Sequence, residues 1–409
     1  MKLAFVTDAF PPMRSSGAVL MRDLTVEMAR RGHEVTVLVP APRIAKGHAI
    51  ENADGVRVVR LKTAETRDRA YSVRLAAELA MPFLMRRRLR SSPVDESGFE
   101  GVVWYSPSIF FGPLARFLKA RSRAPGYLVL RDIFPEWAVD LGLMRRGPAY
   151  RLLQAIARGQ YRAADTIGVQ TPGNLAFFGD AIANGKDVEV LQNWTNPDDV
   201  GRCSIDLARG PLAGRKVFAY TGNMGIAQGM DKLLDLATAL REEKDIGFAF
   251  VGRGSEVARL RELADGRGLD NCVFHDEIGI DEMPGLFAQV DVGMVCLDHR
   301  HSWHNIPGKF IAYAHAGLPV LASVNPGNDM IALVEEERVG RISTEPAGRD
   351  LAALARELVS EADLPNMGER AKGLAQRLFS VEAAAAQIET ALIRHAEGLG
   401  GKPVDARDG

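Results

Sequence analysis

Residues 304–320, HNIPGKFIAYAHAGLPV, set a proline, a glycine and a lysine where a helix begins, just ahead of a buried strand. Pro307 at the first helical position costs nothing, because the N–H it lacks has no partner there. The amides of Gly308 and Lys309 then point out of the positive end of the helix, with the Lys309 ammonium beside them. Such an arrangement suits an anion, and a diphosphate in particular. The other reading is a helix packed on a sheet, its lysine solvated.

Further loops carry chemistry-bearing residues. Strand 126–130 empties into Arg131-Asp132-Ile-Phe-Pro-Glu136-Trp137, which puts three charges and an aromatic near the carboxyl end of a strand, where open α/β sheets bind ligands. The alternative is an Arg–Asp ion pair that braces the loop. The loop at 10–17 ends in Gly17, which lets backbone approach a ligand closely, although every doubly wound domain needs a turn here. Gly222, Asn223, Gly225, Gln228 and Gly229 lie in a strand-to-helix turn that either exposes amides to phosphate or is a flexible turn without a ligand. Gly252-Arg253-Gly254 repeats the pattern, with Arg253 reaching a phosphate or a base, or else a surface arginine. Neither loop has the GxGxxG or Walker spacing, so neither a nicotinamide nor an ATP site is expected.

Asp298 to His304 supplies three imidazoles and a carboxylate, ligand types that zinc accepts. Neighbours in one loop rarely converge on one ion and no cysteine joins them, so a polar loop facing a sugar is expected, with no metal and no cofactor. Arg86, Arg87, Arg88 and Arg90 follow the apolar run 81–85. They suit an anionic membrane surface, or form a solvated basic face, since Pro82 interrupts the amphipathic run.

These residues need a scaffold of alternating strands and helices, and the sequence provides one. Strands are predicted at 3–7, 35–39, 56–61, 101–104, 126–130 and 166–169, with a helix over 18–31. A second series falls at 216–220, 248–251, 273–275, 292–296 and 320–322. Strand–helix alternation means parallel sheets covered on both faces. The fold class is therefore α/β, two tandem Rossmann-like doubly wound domains. RGPLAG at 209–214 reads as a linker, 381–396 as a closing helix and 398–409 as a frayed tail. With 409 residues, two domains are the expectation. A hydrophobic share of 46% and a net charge of -1 describe an ordinary globular chain without a basic field for nucleic acid. Three widely spaced cysteines point to a reducing compartment. The apolar run in residues 1–8 is too short for a signal peptide and nothing is long enough to span a bilayer, so a cytoplasmic protein is expected.

Taken in order, AFVTDAFPP, VLRDIFPEWAVDLGLM, VLQNWTNPDD, YTGNMGIAQGMDKLL, FVGRGSE and IPGKFIAYAHAGLPVLA resemble the retaining GT-B glycosyltransferases of family 4. The likeness extends over residues 1 to about 395. It is greatest to the subgroup that builds bacterial O-antigens, capsules and exopolysaccharides, N-acetyl-L-fucosamine transferases included. The resemblance implies an acceptor-side domain at 1–198, a nucleotide-sugar domain at 199–378, and a helix at 379–397 crossing back to the first. It implies that Gly17 meets the diphosphate and that Asn223 and Gln228 fall where phosphate-binding residues lie. Gly252, Arg253 and Gly254 would line the nucleotide pocket, backbone from Asp276 to Ile278 would read the base, and His304, Pro307 and Gly308 would complete the donor site. Arg131 and Asp132 fall where many members carry a His-Asp pair beside the reacting sugar.

Two departures stand out. Asn223 and Gln228 replace a frequent Arg/Lys pair, which leaves Lys309, Arg253 and Arg131 to supply positive charge. The family's paired glutamates fall on His304 and Ala312. The implied activity is metal-free transfer of a sugar from a UDP-sugar to a lipid-linked or saccharide acceptor, with Asp132, Arg131 and Lys309 as catalytic residues. A sugar-nucleotide 2-epimerase and a non-catalytic sugar-nucleotide-binding subunit are the alternatives.

Overall fold

The computed structural model describes residues 1–13, 15–66, 69–140, 142–179, 186–195, 201–299, 306–360 and 363–400. The chain forms two compact units, one of residues 1–193 with the helix Val381–Gly400, the other of residues 194–380. No helix among the described residues is long and apolar enough to cross a membrane.

The first unit is built on eight strands: β1 Lys2–Val6, β2 Glu34–Pro40, β3 His48–Ala53, β4 Val56–Leu61, β5 Gly101–Ser106, β6 Gly126–Leu130, β7 Thr166–Val169 and β8 Asp187–Val190. Their order is β3-β4-β2-β1-β5-β6-β7-β8. All neighbours are parallel except β3 and β4, which run antiparallel. Every residue of β5 and β6 is buried, as expected for strands covered on both faces. Alternation predicts parallel strands only; β3 departs from it, a polar HAIENA run mostly exposed at the sheet edge.

The second unit has six parallel strands: β9 Lys216–Thr221, β10 Ile246–Val251, β11 Cys272–His275, β12 Val292–Cys296, β13 Val320–Ser323 and β14 Gly340–Ser343. Their order is β11-β10-β9-β12-β13-β14. Strand order reverses between β1 and β5 in the first sheet and between β9 and β12 in the second. Open α/β sheets form their ligand crevices at such points, outside the carboxyl ends of the strands.

Two local expectations are corrected. Residues 209–214 are no linker: Leu212, with Ile205 and Leu207, is buried in the apolar core of the second unit. Pro82 does not break its helix, which runs unbroken as Tyr71–Arg90 with Pro82 buried inside it.

The C-terminal helix completes the first unit. Ala384, Ala385, Ile388, Ala391 and Leu392 are buried along one stripe. Gln387 donates to Glu189 Oε1 and Val190 O, each at 2.9 Å, and Glu389 accepts from Arg31. A Cβ on Gly101 would come within 3.0 Å of Leu392 Cδ1, so the helix packs directly on the start of β5. Leu392→Ala is expected to cost about 2–5 kcal/mol by urea denaturation, the range for a buried leucine. A change within about 0.5 kcal/mol, typical of surface positions, would mean that the helix is only loosely attached.

Candidate active site

In the second unit the loops after β9 and β10 lock together. Gly222 N–H donates to Val251 O at 2.9 Å, Met224 N–H to Arg253 O at 2.7 Å, and Glu256 N–H to Met224 O at 3.1 Å. Gly252 and Gly254 have φ of 151° and 153°. A Cβ on either would lie 2.0 Å from Gly222 O or 2.2 Å from Met224 O. Only glycine permits this approach. The loop contact therefore explains both glycines without a ligand. It also uses the Gly222 amide, one of those that the turn offers to phosphate, together with that of Met224. Gly225 N–H donates to Gln228 Oε1 at 3.0 Å, and Asn223 Nδ2 to the same oxygen at 3.2 Å. Asn223 and Gln228 thus brace each other and the turn.

Lys309 is placed by the helix Gly308–Ala316, which starts one residue later than expected, with Pro307 as its N-cap. Tyr313 fixes that helix to β9: its hydroxyl accepts from Thr221 N–H at 3.0 Å and donates to Ala219 O at 3.2 Å. Its ring fills the space a side chain on Gly293 would need. Lys309 Nζ then lies 4.7 Å from the centre of the Tyr220 ring. Among the described residues no carboxylate lies within ion-pair distance of it. Burial lowers the Lys309 pKa to about 8, with Cys296 opposing the shift. The first-turn amides of Gly308 and Lys309 belong to the set a helix cannot satisfy itself. Burial pushes the Cys296 thiol up to about 12, and the thiol donates to Gly229 O at 3.4 Å.

The other nucleotide-side residues are more exposed. Arg253 pairs with Glu277 at 3.3 Å, Asp276 pairs with Arg261 at 3.0 Å, and Ile278 packs on the apolar core. Ala312 carries no group able to hydrogen-bond a ligand. His304, and with it residues 300–305 of the His-rich loop, lies outside the described residues. Among the described residues no three His, Cys, Asp or Glu side chains gather as metal ligands would.

In the first unit a cavity of about 830 Å³ opens beside the β1/β5 reversal. Asp8, Arg60, Arg74, Ser108, Asp132 and Trp137 are among its lining residues. Burial raises the Asp132 pKa, and Arg131 pulls it back. Arg131 itself is buried with its guanidinium turned to backbone, donating to Leu191 O at 2.5 Å and Gln192 O at 3.2 Å. It braces the end of β8, so the expected charged trio does not act as one. Glu136 likewise accepts from Gln154 Nε2 at 3.1 Å. Gly17 has a packing reason of its own: a Cβ there would sit 3.0 Å from Tyr105 Oη. Sequence reasoning missed Asp8, Arg60 and Arg74, whose convergence depends on strand order and the placement of the helix Tyr71–Arg90.

That helix has a second face. Val73, Leu79 and Phe83 are exposed on it, and Arg86, Arg87 and Arg90 lie exposed further along, Arg86 over the Phe117 ring and Arg90 paired with Glu96 at 3.7 Å. Arg88 instead packs on Gly47.

Two open α/β units, each with polar groups at its point of strand reversal, define a tandem Rossmann-like architecture. Residues 17–194 match the family described as a glycosyl transferase 4-like domain, and residues 215–361 match glycosyl transferases group 1. The chain therefore belongs to the GT-B glycosyltransferases of these families. It is 24% identical over 377 residues to WcaI of Escherichia coli (strain K12), named as a colanic acid biosynthesis glycosyl transferase, covering 87% of this chain and 90% of that protein. Sucrose-phosphate synthase from Thermosynechococcus elongatus shares the fold with a TM-score of 0.71 at 15% identity, covering 97% of this chain and all of that one. Anabaena HepE in complex with UDP-glucose does so with a TM-score of 0.63 at 15% identity, covering 96% and 100%.

Proposed function

We propose that the protein is a retaining glycosyltransferase that moves a sugar from a UDP-sugar to a lipid-linked or saccharide acceptor in bacterial surface polysaccharide synthesis. The observation that carries this reading is Lys309, a half-buried ammonium over the Tyr220 ring with no carboxylate within ion-pair distance among the described residues, at the strand reversal of the unit that matches group 1. WcaI by its name and HepE by its UDP-glucose complex support the acceptor class and the donor.

In this reading the diphosphate accepts from the Lys309 ammonium and from the amides at the start of its helix. Negative charge that builds on the diphosphate as the glycosidic bond breaks is met there by groups already oriented, without a metal. The leaving phosphate takes the acceptor hydroxyl's proton, so no side-chain base is required. Asp132, in the cavity of the first unit, orients the acceptor. Arg131 positions the loop that carries Asp132 by holding the end of β8. The enzyme would work at the cytoplasmic face of the membrane. There Val73, Leu79 and Phe83 would enter the interface and Arg87 and Arg90 would meet anionic headgroups. The opposite side of the same helix, through Arg74 and Glu78, lines the cavity and would receive the head of a membrane-bound acceptor.

Lys309→Ala is expected to lower turnover of a UDP-sugar about 100- to 1000-fold at unchanged melting temperature, measured by release of UDP. Full activity in that variant would remove Lys309 from the reaction. Conversion of donor without any acceptor into an isomeric UDP-sugar would instead indicate the 2-epimerase. Phe83→Glu is expected to abolish co-sedimentation with phosphatidylglycerol-containing vesicles while leaving transfer to a water-soluble acceptor intact. Undiminished vesicle binding would reject this face as the membrane contact.

A further inference from the structure

We propose that Lys232 is a second cation of the diphosphate site and supplies the charge that Asn223 and Gln228 do not. The inference rests on the donor-site reading of the second unit. Lys232 lies in the first turn of the helix Asp231–Ala239 and is 9% exposed. Its Nζ donates to Leu297 O at 3.4 Å and to Ser323 Oγ at 3.2 Å. Leu297 directly follows β12 and Ser323 ends β13, so the ammonium sits at the carboxyl edge of the sheet.

Both acceptors are neutral and both bonds are long. An ammonium has three donors, and the third has no partner among the described residues. Nor does any carboxylate among them lie within 4 Å of Lys232 Nζ. Glu345 lies within its field, but accepts from Arg349 N–H at 2.7 Å. Asp298 pairs with His299 at 3.8 Å. Buried Cys296 lies in the field of Lys232 and Lys309, with Asp298 and Asp231 acting on it in the opposite sense; Asp231 is itself held by Arg259 at 2.8 Å.

A buried cation, Lys232, and a half-buried one, Lys309, at one sheet edge, neither with a carboxylate at ion-pair distance among the described residues, form an incomplete electrostatic set. Burying an ammonium without a counter-charge is costly. Packing does not require the charge: the stem of Lys232 lies against Gly348, a contact that an apolar side chain of similar length could make. A diphosphate carries enough negative charge to answer both lysines. Only the Lys309 side of this pair is readable from the family resemblance; Lys232 occupies a helix position that reads as a solvated lysine.

The test compares UDP with uridine on the full chain. UDP binding is measured by isothermal titration calorimetry and uridine binding by ligand-observed NMR. Lys232→Met is expected to weaken UDP at least about tenfold, the worth of one charge-assisted hydrogen bond, and to leave uridine unchanged. Lys232→Gln, measured beside it, is expected to show the same loss and keeps the test open if the methionine variant does not fold. Unchanged UDP affinity, or equal losses for UDP and uridine, would overturn the assignment while the donor-site reading stands. Failure of the unaltered protein to bind UDP, GDP and ADP alike would overturn that reading itself, and the role of Lys232 with it.

Discussion

The second unit turns on one electrostatic feature, a half-buried ammonium at Lys309 over the Tyr220 ring with no carboxylate within ion-pair reach among the described residues. The ring face offsets part of the cost of burial, about 0.5–2 kcal/mol for a cation over an aromatic. Desolvation lowers the Lys309 pKa to about 8, and an anion beside it would favour the protonated form.

Much of the second unit serves to keep that ammonium in place. Tyr313 ties the helix Gly308–Ala316 to β9 through Thr221 and Ala219, and Gly293 leaves room for its ring. The interlocked loops after β9 and β10 hold Tyr220 from the other side, its hydroxyl donating to Asn223 O at 2.8 Å. The glycines at 252 and 254 therefore support the Tyr220–Lys309 contact through backbone fit. The first unit is organised differently. In its cavity Arg74 pairs with Glu78 and Arg43 with Glu65, while Arg60 pairs with Glu51, which lies outside the lining.

Features written into local pattern were legible in the sequence. Buried β-branched runs such as VVW and YLVL announced their strands, and the α/β class with its returning C-terminal helix followed from alternation and resemblance. Polar or short strands such as HAIENA and GRIS gave no such signal, since edge position decides them. Proximity along the chain also misled. Arg131 and Asp132 are adjacent, but the guanidinium turns to the carbonyls of Leu191 and Gln192 while the carboxylate lines a cavity. A strand end fixes where a residue starts and leaves its direction to the packing around it. Lys232 was missed for the converse reason: its partners are 65 and 91 residues away in sequence.

The most direct measurement is a crystal of the protein soaked with UDP. A phosphate oxygen about 3 Å from Lys309 Nζ, at the carboxyl edge of β9 and β12, is the predicted result. UDP bound at any other place, with Lys309 still resting on Tyr220 alone, would contradict the account.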